Sequence, residues 1–219
     1  MKDEKAPAAS LPVSEDYILS HIDDEGDYLY RLARAANVRL LNGRMAAGRL
    51  QGRLLRMFVR MIRPENILEI GTFSGYSAIC MAEGLGDGGR LYTYEINDEL
   101  EDFTRPWIEG SSVAAKITFV IGDALVEAPR LGIMFDMIYI DGDKRTYVEA
   151  YETALSIVRP GGFILADNTL WDGHVTDGAY DRDRQTLGIR RFNDLVAADG
   201  RVEKVLLPVR DGLTIIMKK

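Results

Sequence analysis

Apolar residues follow two different rhythms along the chain. Between Ser14 and Ile62 they recur at spacings of three, four and seven: Ile18, Ile22, Leu29, Leu32 and Ala33, then Leu50, Leu54, Met57, Phe58, Met61 and Ile62. Those are the spacings of amphipathic helices. Ser14 can cap the first helix, Gly26 interrupts the run, residues 36–47 carry no clear pattern, and Pro64 stops the last helix. Met45, Met57 and Met61 are expected mostly in the core, with Met45 just ahead of its helix. Residues 1–13, charged and rich in Ala and Pro, are expected to form a frayed end.

Past residue 65 short continuous apolar runs alternate with helical stretches. Residues 67–71, 90–95, 117–121, 136–141 and 163–166 read as strands, and 77–85, 98–108 and 145–158 as helices. The turn Arg159-Pro160-Gly161-Gly162 stands before the fifth strand. Such runs imply a parallel sheet covered on both faces. Two further runs, 201–208 and 213–217, flank Asp211-Gly212, which suits a hairpin turn. The expectation is an α/β fold, mostly parallel, closed by an antiparallel hairpin. Residues 14–219 form one domain, with helices over 14–62 and the core over 65–219.

Ligands bind outside the carboxyl ends of strands in open α/β sheets. The first strand ends Glu69-Ile70-Gly71-Thr72-Phe73-Ser74-Gly75-Tyr76-Ser77. Gly71 and Gly75 allow a tight turn close to a ligand, but G-x-x-x-G is not the dinucleotide fingerprint. Glu69 there repels pyrophosphate and attracts an ammonium or sulfonium. The second strand ends in Glu95, which can accept ribose hydroxyls or simply cap the next helix. The third ends Gly122-Asp123-Ala124, where a flat adenine could lie. The fourth ends Asp141-Gly142-Asp143-Lys144 and the fifth Asp167-Asn168, with Trp171 following.

If those last two strands are neighbours, Asp141, Asp167 and Asn168 converge as oxygen donors for a hard divalent cation, Mg²⁺ first, then Ca²⁺ or Mn²⁺. The plainer alternative is that each acid caps a helix. Beside a cation Lys144 would have a lowered pKa and could act as a general base; otherwise it pairs with Asp141 or Asp143 at the surface. Cys80 reads as packing, His174 as a loop residue, and 172–188 as a mobile flap or a solvated loop.

Composition removes several classes of function. With 219 residues, 47% apolar and 28% charged, the chain is an ordinary globular one. Its net charge of −7 opposes a nucleic-acid surface. One cysteine and two histidines leave no disulfide framework and no zinc cluster. No apolar run approaches the roughly 18 residues of a membrane span. The N-terminus has acids and prolines where a signal peptide is apolar, so a cytoplasmic protein is expected.

The motifs LEIGTFSGYSA (68–78), YEI (94–96), GDA (122–124), YIDGDKRTY (139–147), RPGGFILADNTLW (159–171) and DGL (211–213) occur together. In these the chain resembles the cation-dependent class I S-adenosylmethionine-dependent O-methyltransferases of the caffeoyl-CoA and catechol type, from about Met45 onward. The resemblance implies a Rossmann-like three-layer sandwich with a seven-stranded sheet whose last strand is inserted antiparallel. It implies that Glu69, Gly71 and Ser77 hold the methionine part of the cofactor, Glu95 the ribose, and Ala124 the adenine. Met45, Ala47 and Phe73 also contact the cofactor. Asp141, Asp167 and Asn168 match the metal ligands, with Asp141 counted also at the cofactor and in catalysis. Lys144 matches the catalytic base and Trp171 a wall of the acceptor pocket. The acceptor would be a hydroxylated aromatic small molecule and the assembly a homodimer. Where that family often has Asp-Ala-Asp-Lys, this chain has Gly142. Two alternatives are a nicotinamide-dependent oxidoreductase and a non-catalytic S-adenosylmethionine-binding module.

Overall fold

The computed structural model describes residues 14–219; the expected frayed end, 1–13, lies outside the described residues. Ser14 caps α1 (Glu15–Ser20), accepting from the Tyr17 amide. Gly26 precedes α2 (Asp27–Arg39), and α3 (Gly48–Ile62) ends at Arg63, just before Pro64. The alternating part follows as β1 (Asn66–Ile70), α4 (Tyr76–Gly84), β2 (Arg90–Glu95), α5 (Glu101–Glu109) and β3 (Ile117–Ile121). After these come α6 (Ala124–Glu127), β4 (Phe135–Ile140), α7 (Tyr147–Ile157), β5 (Val158–Asp167), α8 (Arg184–Ala198), β6 (Val202–Leu207) and β7 (Leu213–Lys218).

The sheet runs β3-β2-β1-β4-β5-β7-β6. Its first five strands are parallel, and β7 is inserted antiparallel between β5 and β6. This is the Rossmann-like sheet with a terminal hairpin that the sequence implies. One detail differs. The register jumps from Phe135–Val158 to Met137–Phe163, so the Arg159–Gly162 turn is spliced into β5 rather than preceding it. Arg159 holds it there, donating to Asp136 at 2.6 Å.

Strand side chains alternate between faces. Leu68, Ile70, Ile138, Ile140 and Ile164 face α7 and α8, while Ile67, Met137, Tyr139 and Leu165 face α3 and α4. Close packing of α3 on α4 needs two glycines. A Cβ on Gly52 would sit 2.6 Å from Cys80 Sγ, and one on Gly84 would sit 2.8 Å from the Arg56 carbonyl. That approach decides which side of α3 is buried. Gln51, Gly52, Leu55 and Val59 point inward, while Met57 and Met61 are 52% and 65% exposed. The expected core role of the three methionines is thereby corrected, Met45 being 66% exposed. Cys80 is fully buried, and burial pushes its thiol up to about 12, which suits packing and not nucleophilic chemistry.

Candidate functional site

The parallel strands deliver their carboxyl ends to one edge, and backbone bonds zip the following loops together. Gly71 N–H donates to Tyr94 (3.0 Å), Gly122 N–H to Glu95 (2.8 Å) and Asp141 N–H to Ile70 (2.9 Å). Gly71 is required where it stands. Its φ is +99°, and a Cβ would lie 2.5 Å from the Asp141 carbonyl oxygen. Gly75 also has positive φ and precedes α4. Phe73 adopts a left-handed φ of 47° without being glycine. Its carbonyl accepts from Thr104 of α5, and its amide donates to Glu95 at 2.8 Å.

Glu69 shares the α3/α4 face of β1 with Ile67 and is 0% exposed. Thr93 donates to its Oε2 at 2.6 Å, and Oε1 has no hydrogen-bond partner. Burial pushes this carboxyl up to about 8, partly offset by neighbouring hydroxyls. A buried acid with a free oxygen beside a positive-φ glycine fits a ligand bearing an ammonium group. Glu95 is buried too; Oε2 accepts from Phe73 and Oε1 from the Asn97 amide at 2.9 Å. Each of its oxygens keeps a lone pair for a hydroxyl. Ser77 is buried in the first turn of α4, and Ala124 opens α6 behind the Asp123 cap. Ala47 is buried among Leu32, Tyr76 and Cys80.

At the other end of this edge, β4 and β5 are neighbours and Ile140 pairs with Ala166, so Asp141 and Asp167 follow side by side. The Tyr147 hydroxyl bridges the two strand ends through the carbonyls of Ile140 (3.2 Å) and Asp167 (3.0 Å). Burial pushes the Asp141 carboxyl up; Lys144 opposes this and Asp167 reinforces it. Lys144 is buried, donating to Asp141 Oδ1 at 2.9 Å and to the Tyr147 hydroxyl at 2.7 Å. Burial disfavours its ammonium, but Asp141 and Tyr147 more than offset that and hold its pKa above the ordinary value. The ion pair exists, then, as the plainer alternative has it, but it is buried and not at the surface. A neutral Lys144 requires Asp141's charge to be engaged elsewhere.

Asp167 is buried. Tyr139 donates to its Oδ2 at 2.8 Å, Gln51 donates to the same oxygen, and the Asn168 amide donates to Oδ1 at 2.9 Å. Asn168 has a left-handed φ of 55°, and its side-chain amide reaches Asp211 at 3.4 Å. Among the described residues no group of three or more His, Cys, Asp or Glu could hold a metal ion. The oxygen set is two adjacent acids plus Asn168, whose mutual repulsion and all-oxygen chemistry fit a hard cation.

Sequence reasoning missed Gln51, Tyr139, Thr93 and Arg210. Gln51 left one signal, a polar amide in helical register with Leu55 and Val59. The segment 172–188 differs from expectation. Residues from Arg184 onward are helix, and Arg190 clamps the loop, donating to the carbonyls of Val175 (2.9 Å), His174 (2.9 Å) and Asp177 (2.7 Å). His174 stacks on Tyr180 with centroids 3.5 Å apart. Trp171 packs half-buried against the α7/α8 core, its amide tied to Asn168 at 3.1 Å.

Residues 19–219 match the family model described as O-methyltransferase. The chain is 35% identical over 176 residues to caffeoyl-CoA O-methyltransferase of Petroselinum crispum, covering 75% of this chain and 73% of that protein. It is 36% identical over 176 residues to caffeoyl-CoA O-methyltransferase 1 of Eucalyptus globulus, covering 75% and 71%. The O-methyltransferase TomG from Streptomyces achromogenes, solved in complex with SAM, matches with a TM-score of 0.84 at 30% identity, covering 93% of this chain and 95% of that one. The O-methyltransferase from Bacillus cereus in complex with SAH matches with a TM-score of 0.85 at 31% identity, covering 93% and 96%.

Proposed function

The chain belongs to the O-methyltransferase family, and on that premise we propose that it moves a methyl group from S-adenosylmethionine to a hydroxyl of a catechol-like small molecule, assisted by a divalent cation. Family membership sets aside the nicotinamide alternative. The observation that carries the reading is the buried Oε1 of Glu69, which has no hydrogen-bond partner and lies two residues before the Gly71 that packs against Asp141.

Glu69 takes the ammonium of the methionine part, with Gly71, Phe73 and Ser77 shaping the turn around it. Glu95 accepts the ribose hydroxyls, Ala124 lies against adenine, and Met45 and Ala47 close over the cofactor. Asp141, Asp167 and Asn168 hold the cation, and Trp171 borders the acceptor. A divalent ion there supplies charge that lowers the pKa of an acceptor hydroxyl and relieves Asp141's hold on Lys144. Lys144 Nζ takes the hydroxyl proton. The acceptor oxygen then bonds to the methyl carbon as the carbon–sulfur bond breaks, turning the sulfonium into a neutral thioether. Holding the two reactants close in a dry site supplies up to about 7–11 kcal/mol of the barrier reduction. The homodimer belongs to the same reading and is tested by sedimentation.

The test is methyl transfer to a panel of catechols, with products detected by mass, in EDTA and after Mg²⁺ is added back. Turnover lost in EDTA and restored by Mg²⁺ is expected. Full activity in excess EDTA overturns the cation, and methylation confined to lone hydroxyls overturns the catechol.

A further inference from the structure

Gln51 is a neutral side chain, 5% exposed, at the meeting point of three elements. From α3 its Nε2 donates to the Tyr139 hydroxyl of β4 at 2.7 Å and to Asp167 Oδ2 at the end of β5. Tyr139, itself 0% exposed, donates to the same Asp167 oxygen at 2.8 Å. Gln51 Oε1 accepts from Arg210 Nη1 at 3.2 Å. Arg210 lies in the β6–β7 turn with a left-handed φ of 51°, and its Nη1 would be 3.5 Å from a Cβ on Gly48 at the start of α3.

The orientation of the amide follows from donor counting. Arginine has only donors, so Arg210 fixes the carbonyl end of Gln51. Both Gln51 amide hydrogens must then face Tyr139 and Asp167. Asp167 Oδ2 is thereby supplied with two donors, while Oδ1 carries only the Asn168 amide. Oδ1 is left with the greater free acceptor capacity.

We infer that Gln51, oriented by Arg210, is a positioning residue that sets the geometry of Asp167 and ties it to the cofactor segment, so that cation binding and S-adenosyl ligand binding are thermodynamically linked through α3. The link is short: Met45 and Ala47 lie immediately ahead of α3, and Gln51 sits in its first turns. The inference rests on the cation assignment proposed above. Partners that orient a metal ligand typically account for about 10–100-fold in metal affinity.

The test is Mn²⁺ binding, read by the free-ion paramagnetic resonance signal, with and without saturating S-adenosylhomocysteine. Wild type is expected to bind Mn²⁺ more tightly with the nucleoside ligand present. Gln51→Leu should weaken Mn²⁺ binding by about 10-fold or more and erase the effect of that ligand. Arg210→Met also removes a positive charge that acts on Asp141, which by itself favours Mn²⁺, so its expected signature is partial loss of the ligand effect, and Arg210→Lys, which keeps both the charge and a donor, should restore that effect. Arg210 is in a turn, so its variants report even if Gln51→Leu fails to fold. A ligand effect of wild-type size that persists in Arg210→Met overturns the inference alone. A wild type that binds no Mn²⁺ overturns the cation assignment and the inference with it.

Discussion

Glu69 and Asp167 lie on the same face of the sheet, at the ends of β1 and β5, and both are buried. Asp167 accepts from Tyr139 and Gln51 on one oxygen and from the Asn168 amide on the other. Glu69 accepts from Thr93 on one oxygen and from nothing on the other. A buried carboxylate short of donors is costly, and Glu69 responds by holding its proton up to about 8. The protein has therefore given both oxygens of Asp167 donors of its own and left one oxygen of Glu69 for a ligand to meet. Two residues past Glu69 stands Gly71, whose missing Cβ lets the loop after β1 touch the loop after β4 at Asp141.

The largest effect is expected at the Asp167 corner. Lys144→Ala removes the buried amine there and should lower kcat by about 10²–10⁴-fold. S-adenosylhomocysteine affinity, measured by calorimetry, should stay, because Lys144 belongs to Asp141 and Tyr147 and not to the Glu69 side. An unchanged kcat removes Lys144 from the reaction.

Gly71→Ala attacks both corners together. The new methyl would lie 2.5 Å from the Asp141 carbonyl, at a φ of +99°. Strain of this kind costs about 1–3 kcal/mol, read as a fall in the unfolding midpoint. Nucleoside and Mn²⁺ binding should both weaken. If only one weakens, the two corners do not share the Gly71 contact as a common support.

The strand ends were readable because each is a continuous apolar run stopped by an acid or a glycine. Residues 90–95 and 117–121 coincide with β2 and β3. What could not be read depends on partners distant in sequence. The α8 helix hides its apolar stripe of Ile189, Phe192 and Val196 among Arg184, Gln185, Arg190, Arg191, Asn193 and Asp194. The ties of the loop before it to Arg190 could not be read, because Arg190's acceptors are backbone carbonyls, which have no sequence signature. Met57 and Met61 misled because glycine at 52 turns α3 onto α4 by another face. The positions of Glu69 and Asp167 were legible, but not the donors that distinguish them.

Glu69 yields a subtler observable, a single proton. Without ligand its raised pKa contributes stability that is present below about 4.5, the ordinary value, and lost as pH rises through about 8. An ammonium-bearing ligand favours the carboxylate and so expels the proton. Calorimetric titration with S-adenosylhomocysteine at pH 7, repeated in buffers of different ionisation enthalpy, should show close to one proton released from Glu69. Glu69→Gln should release none from this position. Equal release by the two proteins means that Glu69 does not meet the ligand's ammonium.

The smallest change is Thr93→Val. Thr93 donates to Glu69 and also contacts the Thr72 hydroxyl, so its loss should lower stability by about 1 kcal/mol. Its effect on the proton is opposite in direction to that of Glu69→Gln. The Thr93 hydroxyl favours the charged form of Glu69, and removing it moves the pKa further up. Proton release on ligand binding should then persist at pH 9, where wild type has already lost its proton and releases little. A release profile that does not move in Thr93→Val would mean that burial and the Ser77 hydroxyl, and not Thr93, govern Glu69. The unequal supply of donors would then not be what separates the two acids.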